Sequence, residues 1–357
     1  MRVIISAGGT GGHIYPAISI INKIKKEEPD SEFLYIGTKN RMESKIVPSL
    51  NIPYFGINII GLKKDLSVFK SLYLFFKGIG SCKKKIKEFN PDIVIGVGGY
   101  ITAPVIYSAK KLGYKTVIHE QNSIPGKSNR FLEKYTDKIM ISLPGSEKYF
   151  NKEKLVLTGN PRSEEAYLAK KFSLKDIGLD SLKQTVLIVM GSLGSESINK
   201  ELMDIIPKFS NKKYQVLIVT GKDHFESFNN LAVSSNVKIV PYLDNMVNIL
   251  KSISLIVSRA GASTIAEITA IGLPSILVPS PYVANNHQYY NALELVNEEA
   301  SIMLEEKDFN SNNLLKKIDF ILYDSVLYKK MHKQALKLGK NDSCDKIYQT
   351  IKKIIRG

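Results

Sequence analysis

The first residues of the chain combine types that bind a phosphate. A short apolar run ends at Ser6, and residues 8–13 then supply four glycines and a histidine. A strand, a glycine loop and a helix in that order aim backbone N–H groups at one point, which suits an anion. We expect the helix to begin at Pro16, a position that tolerates the missing N–H. The segment predicts a phosphate site, and the alternative is a tight turn that packs the helix on the strand.

The spacing of these glycines does not fit a dinucleotide site. That fingerprint requires glycine at the first, third and sixth positions. Counted from Gly9, Gly11 fits but Ile14 does not, and the next strand-like run ends in Gly37-Thr38 without an acidic residue to hold a ribose. The pattern therefore disfavours a nicotinamide cofactor, and we expect no cofactor of any kind.

A second anion site is predicted at residues 259–267, Arg-Ala-Gly-Ala-Ser-Thr-Ile-Ala-Glu. Small residues that follow a strand and open a helix leave N–H groups for a diphosphate, with no metal required. Glu267, expected in the first helical turn, can accept hydrogen bonds from ribose hydroxyls. The alternative is a capping box between Thr264 and Glu267. At residues 285–292, amides and an imidazole suit a sugar, or simply begin a polar helix.

The rest of the chain predicts two doubly wound parallel sheets, because strand-like and helical segments alternate twice. Ligands of such sheets lie beyond the carboxyl ends of the strands, often between two domains. Four polar residues at one such end, 119–122, predict a recognition loop, the alternative being a solvated turn. The predicted strands are residues 3–6, 33–36, 92–97, 116–119, 138–141 and 155–157, then 185–190, 215–220, 237–240, 255–258 and 275–278.

Length and composition bound the class of protein. A chain of 357 residues predicts two domains, and its apolar runs fall short of the ~18–20 residues of a spanning helix. We expect no signal peptide, and the two cysteines, Cys82 and Cys344, indicate a reduced cytoplasmic protein. The net charge of +16 suits a nucleic acid, an anionic membrane or a phosphorylated substrate. No nucleic-acid motif accompanies that charge, so we expect no nucleic acid partner.

A basic amphipathic helix is predicted at residues 62–87. Its apolar residues recur at three- and four-residue spacing, and lysines surround them. Such a helix can lie on an anionic membrane, where each lysine contributes roughly 1 kcal/mol. Burial of the apolar face on its own sheet is an equal alternative. The predicted membrane-contact residues are Leu66, Phe69, Tyr73, Phe76, Ile79, Lys83, Lys84 and Lys85.

Taken together, these segments resemble the MurG family of bacterial UDP-N-acetylglucosamine transferases. The resemblance implies a GT-B fold, in which two Rossmann-like α/β domains face a deep cleft. The first domain is expected at residues 1–160 and the second at 161–341, with a final helix at 342–357 packing back on the first. The matching stretches are residues 8–13, 37–38, 41–43, 98–100, 119–122, 159–161, 191–192, 259–267 and 287–288.

The resemblance also implies an activity. It is the inverting transfer of GlcNAc from UDP-GlcNAc to the C4 hydroxyl of MurNAc in lipid I, undecaprenyl-pyrophosphoryl-MurNAc-pentapeptide, which gives lipid II for peptidoglycan. The expected partners are UDP-GlcNAc, lipid I, the anionic cytoplasmic leaflet of the inner membrane and other proteins of cell-wall synthesis and division. The alternatives are an isomerase like the UDP-GlcNAc 2-epimerases and a glycolipid synthase.

Roles for individual residues follow from the same resemblance. His13 is the expected general base, with His119 as the alternative, since an imidazole titrates near neutral pH. Arg259 and the backbone N–H groups stabilise the departing diphosphate, and no metal is required. The acceptor is expected at Gly11, Gly12, Tyr100, Glu120, Gln121 and Asn122. The donor is expected at Thr10, Gly11, Gly12, Arg162, Ser192, Leu243, Arg259, Gly261, Ser263, Thr264, Glu267, His287 and Gln288.

Overall fold

The chain divides into two compact units. The computed structural model describes residues 1–61, 68–191 and 194–357, and the side chains of residues 68–70 are outside that description. The first unit comprises Met1–Arg162 together with Asp342–Gly357, and the second comprises Ser163–Asn341. Among the described residues, no helix is both long enough and apolar enough to cross a membrane. Two of the predicted membrane-contact residues are affected: Leu66 lies outside the description, and so does the side chain of Phe69.

The first unit is built on a seven-stranded parallel sheet in the order β3-β2-β1-β4-β5-β6-β7. Residues along β1 alternate between its faces: Val3 and Ile5 join one apolar cluster, and Ile4 joins the other. Helices therefore cover both faces. The strands are β1 Arg2–Ser6, β2 Glu32–Thr38, β3 Tyr54–Ile57, β4 Ile93–Gly96, β5 Lys115–Glu120, β6 Lys138–Ile141 and β7 Leu155–Leu157. The helices are α1 Gly11–Glu27, α2 Glu43–Ser49, α3 Val68–Phe89, α4 Thr102–Lys111 and α5 Lys127–Leu132.

The second unit repeats the plan with a six-stranded parallel sheet in the order β10-β9-β8-β11-β12-β13. The strands are β8 Thr185–Val189, β9 Gln215–Val219, β10 Val237–Val240, β11 Leu255–Ser258, β12 Ser275–Leu277 and β13 Ser301–Met303. The helices are α6 Arg162–Leu168, α7 Glu196–Ile205, α8 Met246–Leu250, α9 Ala262–Ala270, α10 His287–Asn297, α11 Ser311–Tyr323 and α12 Ser325–Leu338, and α13 Ser343–Arg356 returns to the first unit.

Each predicted strand coincides with an observed strand to within two residues at either end. The prediction missed β3 and β13, each of which is one of the two outer strands of its sheet, whereas the other outer strands, β7 and β10, were predicted. β3 contains Gly56 and follows Pro53, and β13 is only three residues long. Short edge strands carry a weak periodic signal, because they need not present a long buried face.

Helix α1 begins earlier than predicted. It starts at Gly11, inside the glycine loop, so that Pro16 lies within the helix and not at its first position. The expectation that Pro16 marks the start is wrong. The early start brings Gly11, Gly12 and His13 into the first helical turn, where the N–H groups of Gly11 and Gly12 have no intrahelical acceptor.

The face that α3 buries differs from the alternative proposed for it. Ser71, Gly78, Cys82 and Ile86 face the core, while Tyr73 and Phe76 are 63% and 66% exposed. Ile79 is half-buried, as are Lys83 and Lys85, and Lys84 is exposed. Tyr73 and Phe76 are therefore not packed on the sheet, and membrane contact through them stays a prediction. Cys82 and Cys344 are both buried, free thiols.

The C-terminal helix α13 packs on α1 around one carboxylate. Glu28 accepts hydrogen bonds from Tyr348, at 2.9 Å, and from Lys352, and the N-terminal ammonium of Met1 lies 3.3 Å from it. The bond from Lys352 holds the pKa of Glu28 below its ordinary value of 4.5, against the opposing effect of burial. A carboxylate whose pKa is depressed by folding stabilises the fold above its unfolded pKa, and that stability is lost as pH falls through the folded pKa.

We predict that Glu28→Gln destabilises the protein at pH 7 and that the difference from wild type shrinks as pH falls below about 4.5. Urea unfolding at a series of pH values measures this. The matched control is Glu27→Gln, which removes a more exposed carboxylate paired with Lys23 and should have a smaller effect. A difference between Glu28→Gln and wild type that is independent of pH contradicts the assignment.

Candidate functional site

The glycine loop after β1 is held against the loop after β4. The N–H of Gly8 donates to the carbonyl of Gly98 at 3.2 Å. Gly99 has φ of +88°, and a Cβ there would stand 2.4 Å from the Gly8 carbonyl oxygen. Only glycine allows this approach, because any side chain would both collide and strain the backbone. The contact brings together two of the predicted site segments, residues 8–13 and 98–100.

His13 is placed by these two loops. Its ring packs on Gly98, where a Cβ would stand 2.5 Å from His13 Cδ2. His13 Nδ1 lies 3.1 Å from the Gly8 carbonyl oxygen and 3.5 Å from Thr10 Oγ1. A carbonyl can only accept, so the contact requires the proton on Nδ1 and leaves the basic lone pair on Nε2. The predicted base is therefore half-buried in a fixed orientation.

The start of α1 provides the expected anion site of the first unit. Thr10 is the N-cap residue, is exposed, and makes no side-chain bond to the helix N–H groups. Its carbonyl instead accepts from the N–H groups of His13 and Ile14. The N–H groups of Gly11 and Gly12 belong to the first turn and have no intrahelical acceptor. They suit an anion that approaches the end of the helix.

Glu43 is a site residue that the sequence prediction left unassigned. It begins α2 and is fully buried. Its Oε1 accepts from the N–H and the hydroxyl of Thr38, at 3.1 and 2.7 Å, and its Oε2 accepts from the N–H of Gly9 at 3.2 Å. The carboxylate thus ties the glycine loop to the end of β2. The sequence does show a glutamate five residues after Thr38, but nothing in the sequence indicates that this glutamate is buried.

His119 has no nitrogen available for proton transfer. It is fully buried, its Nε2 donates to the carbonyl of Gly159 at 3.0 Å, and its Nδ1 accepts from Gln121 Nε2 at 3.0 Å. Burial lowers the pKa of His119 to about 4, although the bond to Gly159 opposes the shift. The structure therefore argues against His119 as the alternative base and makes it a brace between β5 and the loop at residues 159–161.

Two of the three predicted acceptor residues after β5 face inward. Glu120 is 2% exposed and accepts from Asn122, Gly126 and Asn129, so it organises the loop from within. Gln121 is also 2% exposed and donates to the carbonyl of Val97. The expectation that both side chains contact the acceptor is corrected by this burial. Asn122 is half-buried and stays a candidate.

The remaining predicted residues of the first unit are Tyr100 and Arg162. Tyr100 is half-buried and its ring lies beside Gly61. The Arg162 guanidinium stacks over the ring of Tyr15, 5.7 Å from its centroid, and the Arg162 N–H donates to Asn160 Oδ1. Tyr15 is on α1, so Arg162 lies near the helix that carries His13.

In the second unit, four side chains form a closed ring of polar contacts: Arg259, Ser195, Ser197 and Glu306. The guanidinium donates to Ser195 Oγ at 2.8 Å and lies 2.6 Å from Glu306 Oε2. Ser195 Oγ is 3.2 Å from Ser197 Oγ, and Ser197 donates to Glu306 Oε1 at 2.6 Å. Arg259 also donates to the carbonyl of Val278 at 3.3 Å. The ring joins the segments that follow β8, β11, β12 and β13.

Glu306 is a second residue that the prediction missed. The side chains of Arg259 and Glu306 are each 11% exposed, so the two charges compensate each other away from most of the solvent. Glu306 follows β13, the edge strand that the sequence did not indicate. The ion pair therefore has no local signal in the sequence.

The start of α9 differs from both sequence interpretations. The helix begins at Ala262 with Gly261 as N-cap and no side-chain cap, so the alternative of a capping box from Thr264 is wrong. Glu267 consequently lies in the second turn and not the first, and it is 7% exposed. The buried hydroxyl oxygen of Ser263 has no hydrogen-bond partner among the described residues. Gly261, Ser263 and Thr264 thus surround a helix start that suits an anion.

The polar residues after β12 open α10. His287 Nδ1 donates to the carbonyl of Ala284 at 2.9 Å, which leaves the Nε2 lone pair as an acceptor. Gln288 Oε1 accepts from the Ser280 N–H at 2.9 Å. Two consecutive asparagines, Asn285 and Asn286, have positive φ of 56° and 50°. This uncommon backbone sets the direction of the chain immediately before His287.

Two further donor residues complete the set. Leu243 follows β10 and is 9% exposed, so only its backbone is suited to contact a base. Ser192 lies outside the described residues, as does Leu193. Among the residues that the structure describes, no three His, Cys, Asp or Glu side chains come together as metal ligands.

Comparisons with known proteins agree with this organisation. Residues 3–141 match the glycosyltransferase family 28 N-terminal domain, and residues 185–347 match the glycosyltransferase family 28 C-terminal domain. The chain is 45% identical, over the full length of both proteins, to UDP-N-acetylglucosamine–N-acetylmuramyl-(pentapeptide) pyrophosphoryl-undecaprenol N-acetylglucosamine transferase 1 of Bacillus cereus. It is 43% identical to the Pediococcus pentosaceus transferase of the same name over 99% of each chain.

Solved structures show the same fold. The MurG crystal structure from Acinetobacter baumannii superposes with a TM-score of 0.77, at 24% identity over 99% of each chain. The UDP-GlcNAc 2-epimerase of Neisseria meningitidis gives a TM-score of 0.71 at 14% identity, over 99% of this chain and all of that one. The predicted GT-B fold of two parallel-sheet domains is confirmed. Structural likeness by itself does not separate transferases from epimerases.

We predict that Glu306→Ala lowers the free energy of unfolding by about 3 kcal/mol, because it leaves the Arg259 charge buried without its partner. Urea unfolding followed by circular dichroism measures the loss. Glu305→Ala is the matched control, since Glu305 is more exposed and pairs with the exposed Lys307, and it should cost less than about 1 kcal/mol. Equal losses for the two variants would show that the ring around Arg259 has no special stability.

Proposed function

The chain belongs to glycosyltransferase family 28, and we propose that it moves GlcNAc from UDP-GlcNAc to the C4 hydroxyl of MurNAc in lipid I, undecaprenyl-pyrophosphoryl-MurNAc-pentapeptide, giving lipid II. The observation that carries this proposal is the division of chemistry between the two units. The first unit holds an oriented imidazole beside a helix start that suits an anion, and the second holds an arginine, with its side chain 11% exposed, and another such helix start. Transfer between two diphosphate-linked sugars requires both.

The second unit is the proposed donor site. The start of α9 at Gly261–Thr264, with the unpartnered Ser263 hydroxyl, supplies N–H and O–H donors for the diphosphate. Glu267 is the proposed partner of the ribose hydroxyls. His287, through the lone pair on Nε2, accepts from a GlcNAc hydroxyl, and Gln288 has amide donors for another. Leu243 and Ser192 are assigned to uracil and diphosphate on the family resemblance.

The first unit is the proposed acceptor site. The N–H groups of Gly11 and Gly12 bind the lipid diphosphate, while Tyr100 and Asn122 contact the acceptor sugar. Arg162 and Thr10 lie beside the same helix and are assigned to the donor when both substrates are bound. The C4 hydroxyl attacks the anomeric carbon of GlcNAc as His13 Nε2 takes its proton. The bond from that carbon to the diphosphate breaks with inversion, and the electron pair leaves with UDP.

The leaving group is stabilised without a metal in this proposal. UDP gains a full negative charge as the bond breaks, and fixed N–H dipoles together with Arg259 oppose that charge where it develops. Arg259 is held before the substrate arrives by Ser195, Val278 and Glu306, so little reorganisation accompanies the reaction. No other cofactor takes part.

We further propose that the protein acts peripherally on the cytoplasmic face of the bacterial inner membrane. Lipid I is a membrane lipid, and α3 exposes Tyr73 and Phe76 next to lysines. This arrangement suits an anionic leaflet. Roles in cell shape and division follow from the supply of lipid II, and other proteins of cell-wall synthesis are the proposed partners.

We predict that His13→Ala lowers kcat by about 10²- to 10⁴-fold, the usual contribution of a general base. UDP affinity, measured by calorimetry, should be unchanged, because His13 is not among the residues assigned to the donor. A variant that keeps more than about a tenth of the wild-type kcat excludes His13 as the base.

The reaction itself is tested with UDP-GlcNAc and a short-chain lipid I analogue, with and without EDTA, followed by mass spectrometry. We predict a product heavier by one N-acetylhexosamine, in equal yield in both samples. Product that disappears in EDTA would keep the transferase and overturn the metal-free leaving-group account. UDP-GlcNAc that epimerises without acceptor would instead indicate an isomerase, and transfer only to diacylglycerol would indicate a glycolipid synthase.

A further inference from the structure

One peptide group joins His13 to a buried carboxylate. The carbonyl of Gly8 accepts from His13 Nδ1 at 3.1 Å, and the N–H of Gly9 donates to Glu43 Oε2 at 3.2 Å. That carbonyl and that N–H belong to the same peptide unit. The sequence therefore folds into an uninterrupted chain of hydrogen bonds from Glu43 through the Gly8–Gly9 peptide to the imidazole.

The carboxylate of Glu43 is held in place by burial and by its hydrogen bonds. Glu43 is fully buried, and Oε1 is held by both donors of Thr38. Three donors point at its two oxygens, so the carboxylate accepts hydrogen bonds at both. A Cβ on Gly8 would stand 2.4 Å from Glu43 Oε1, so the loop lies directly against the acid.

The neighbouring ionisable groups do not compete for this role. Burial raises the pKa of Tyr35 and of Tyr54, and the Glu43 charge raises both further, so each phenol stays protonated. Tyr35 donates to the carbonyl of Ala7 and Tyr54 to that of Thr38, so neither phenol donates to the Gly8–Gly9 peptide. His119, on β5, is buried and neutral, with a pKa of about 4. The Thr10 hydroxyl oxygen also lies 3.5 Å from His13 Nδ1.

We propose that Glu43 is a positioning residue for the general base and that it acts through the Gly8–Gly9 peptide. The inference rests on the proposed function, because it deepens the role assigned to His13. A carboxylate that accepts the Gly9 N–H polarises the peptide and makes the Gly8 carbonyl a stronger acceptor for His13 Nδ1–H, since successive hydrogen bonds strengthen one another by roughly 10–30%. We call this chain of hydrogen bonds, from Glu43 through the Gly8–Gly9 peptide to His13, the relay. It fixes the tautomer with the lone pair on Nε2 and stabilises the imidazolium.

The proton balance of this arrangement is simple. The acceptor O–H bond breaks as the Nε2–H bond forms, and His13 becomes positively charged. The Nδ1 proton stays on His13 and the Gly9 proton stays on nitrogen, so no proton reaches Glu43. The carboxylate contributes by its fixed negative charge and by orientation. It does not touch either substrate.

The direct test is Glu43→Gln. If the Gln carbonyl oxygen keeps the two Thr38 donors, its NH₂ group faces the Gly9 N–H, donor against donor, and the relay is broken at one bond. We expect kcat/KM for the acceptor to fall about tenfold, which is less than the roughly 10²- to 10⁴-fold contribution of a general base. His13 becomes a weaker base, so the pH at which activity rises on the acidic side should move to lower pH. UDP affinity should not change.

The matched control is Thr38→Val, which removes a hydrogen bond from the same carboxylate but on the other oxygen, Oε1. This variant should lose stability while the acidic limb of its pH profile stays where it is in wild type. The relay is overturned if the acidic limb of the pH–activity profile does not move in Glu43→Gln, or if it moves equally in both variants.

A second measurement does not depend on the folding of Glu43→Gln. The chain has five histidines, so ¹⁵N-histidine labelling gives a tractable NMR spectrum. His13, assigned by its absence in His13→Ala, should be the Nδ1–H tautomer at high pH. An Nε2–H tautomer overturns the proposal even if Glu43→Gln does not fold. If wild type has no transferase activity, the proposed function fails while the tautomer result still judges the relay.

Discussion

The close approach of two glycine loops is the constraint on which the first unit depends. Strands β1 and β4 are neighbours in a parallel sheet, so the segments that follow them leave the same edge side by side. Gly99 can approach the Gly8 carbonyl only because it has no Cβ. That approach leaves room for the His13 ring over Gly98. The second unit has a similar contact, since a Cβ on Gly194 would stand 2.1 Å from the carbonyl oxygen of Thr220.

Buried charge gives these loops their rigidity. Glu43 and Arg259 are both removed from most of the solvent and both join segments that follow different strands. A buried charge is costly unless its hydrogen bonds are satisfied, so each one selects a single arrangement of the segments around it. Surface pairs such as Lys330 with Glu299 lack this property, because solvent screens them. A site that must stabilise a departing diphosphate benefits from dipoles and charges that are fixed in advance.

Local pattern predicted what is locally determined. The central strands were placed to within two residues, because buried parallel strands are continuous apolar runs bounded by glycine. The edge strands β3 and β13 were missed. Because β13 was missed, the position of Glu306, which follows it, was not predicted either. The starts of α1 and α9 were misjudged because glycine loops continue directly into the helices. The inward orientation of His119, Glu120 and Gln121 depends on contacts with distant residues such as Gly159 and Val97, which no local pattern reveals.

The anomeric configuration of the new glycosidic bond tests the central claim most directly. The proposed mechanism, in which one imidazole deprotonates the acceptor as UDP departs, requires one displacement at the anomeric carbon. UDP-GlcNAc is α-linked, so the proton NMR spectrum of the disaccharide product should show the large H1–H2 coupling of a β-linkage. A small coupling, typical of an α-linkage, would mean retention of configuration. That result would contradict one displacement assisted by His13.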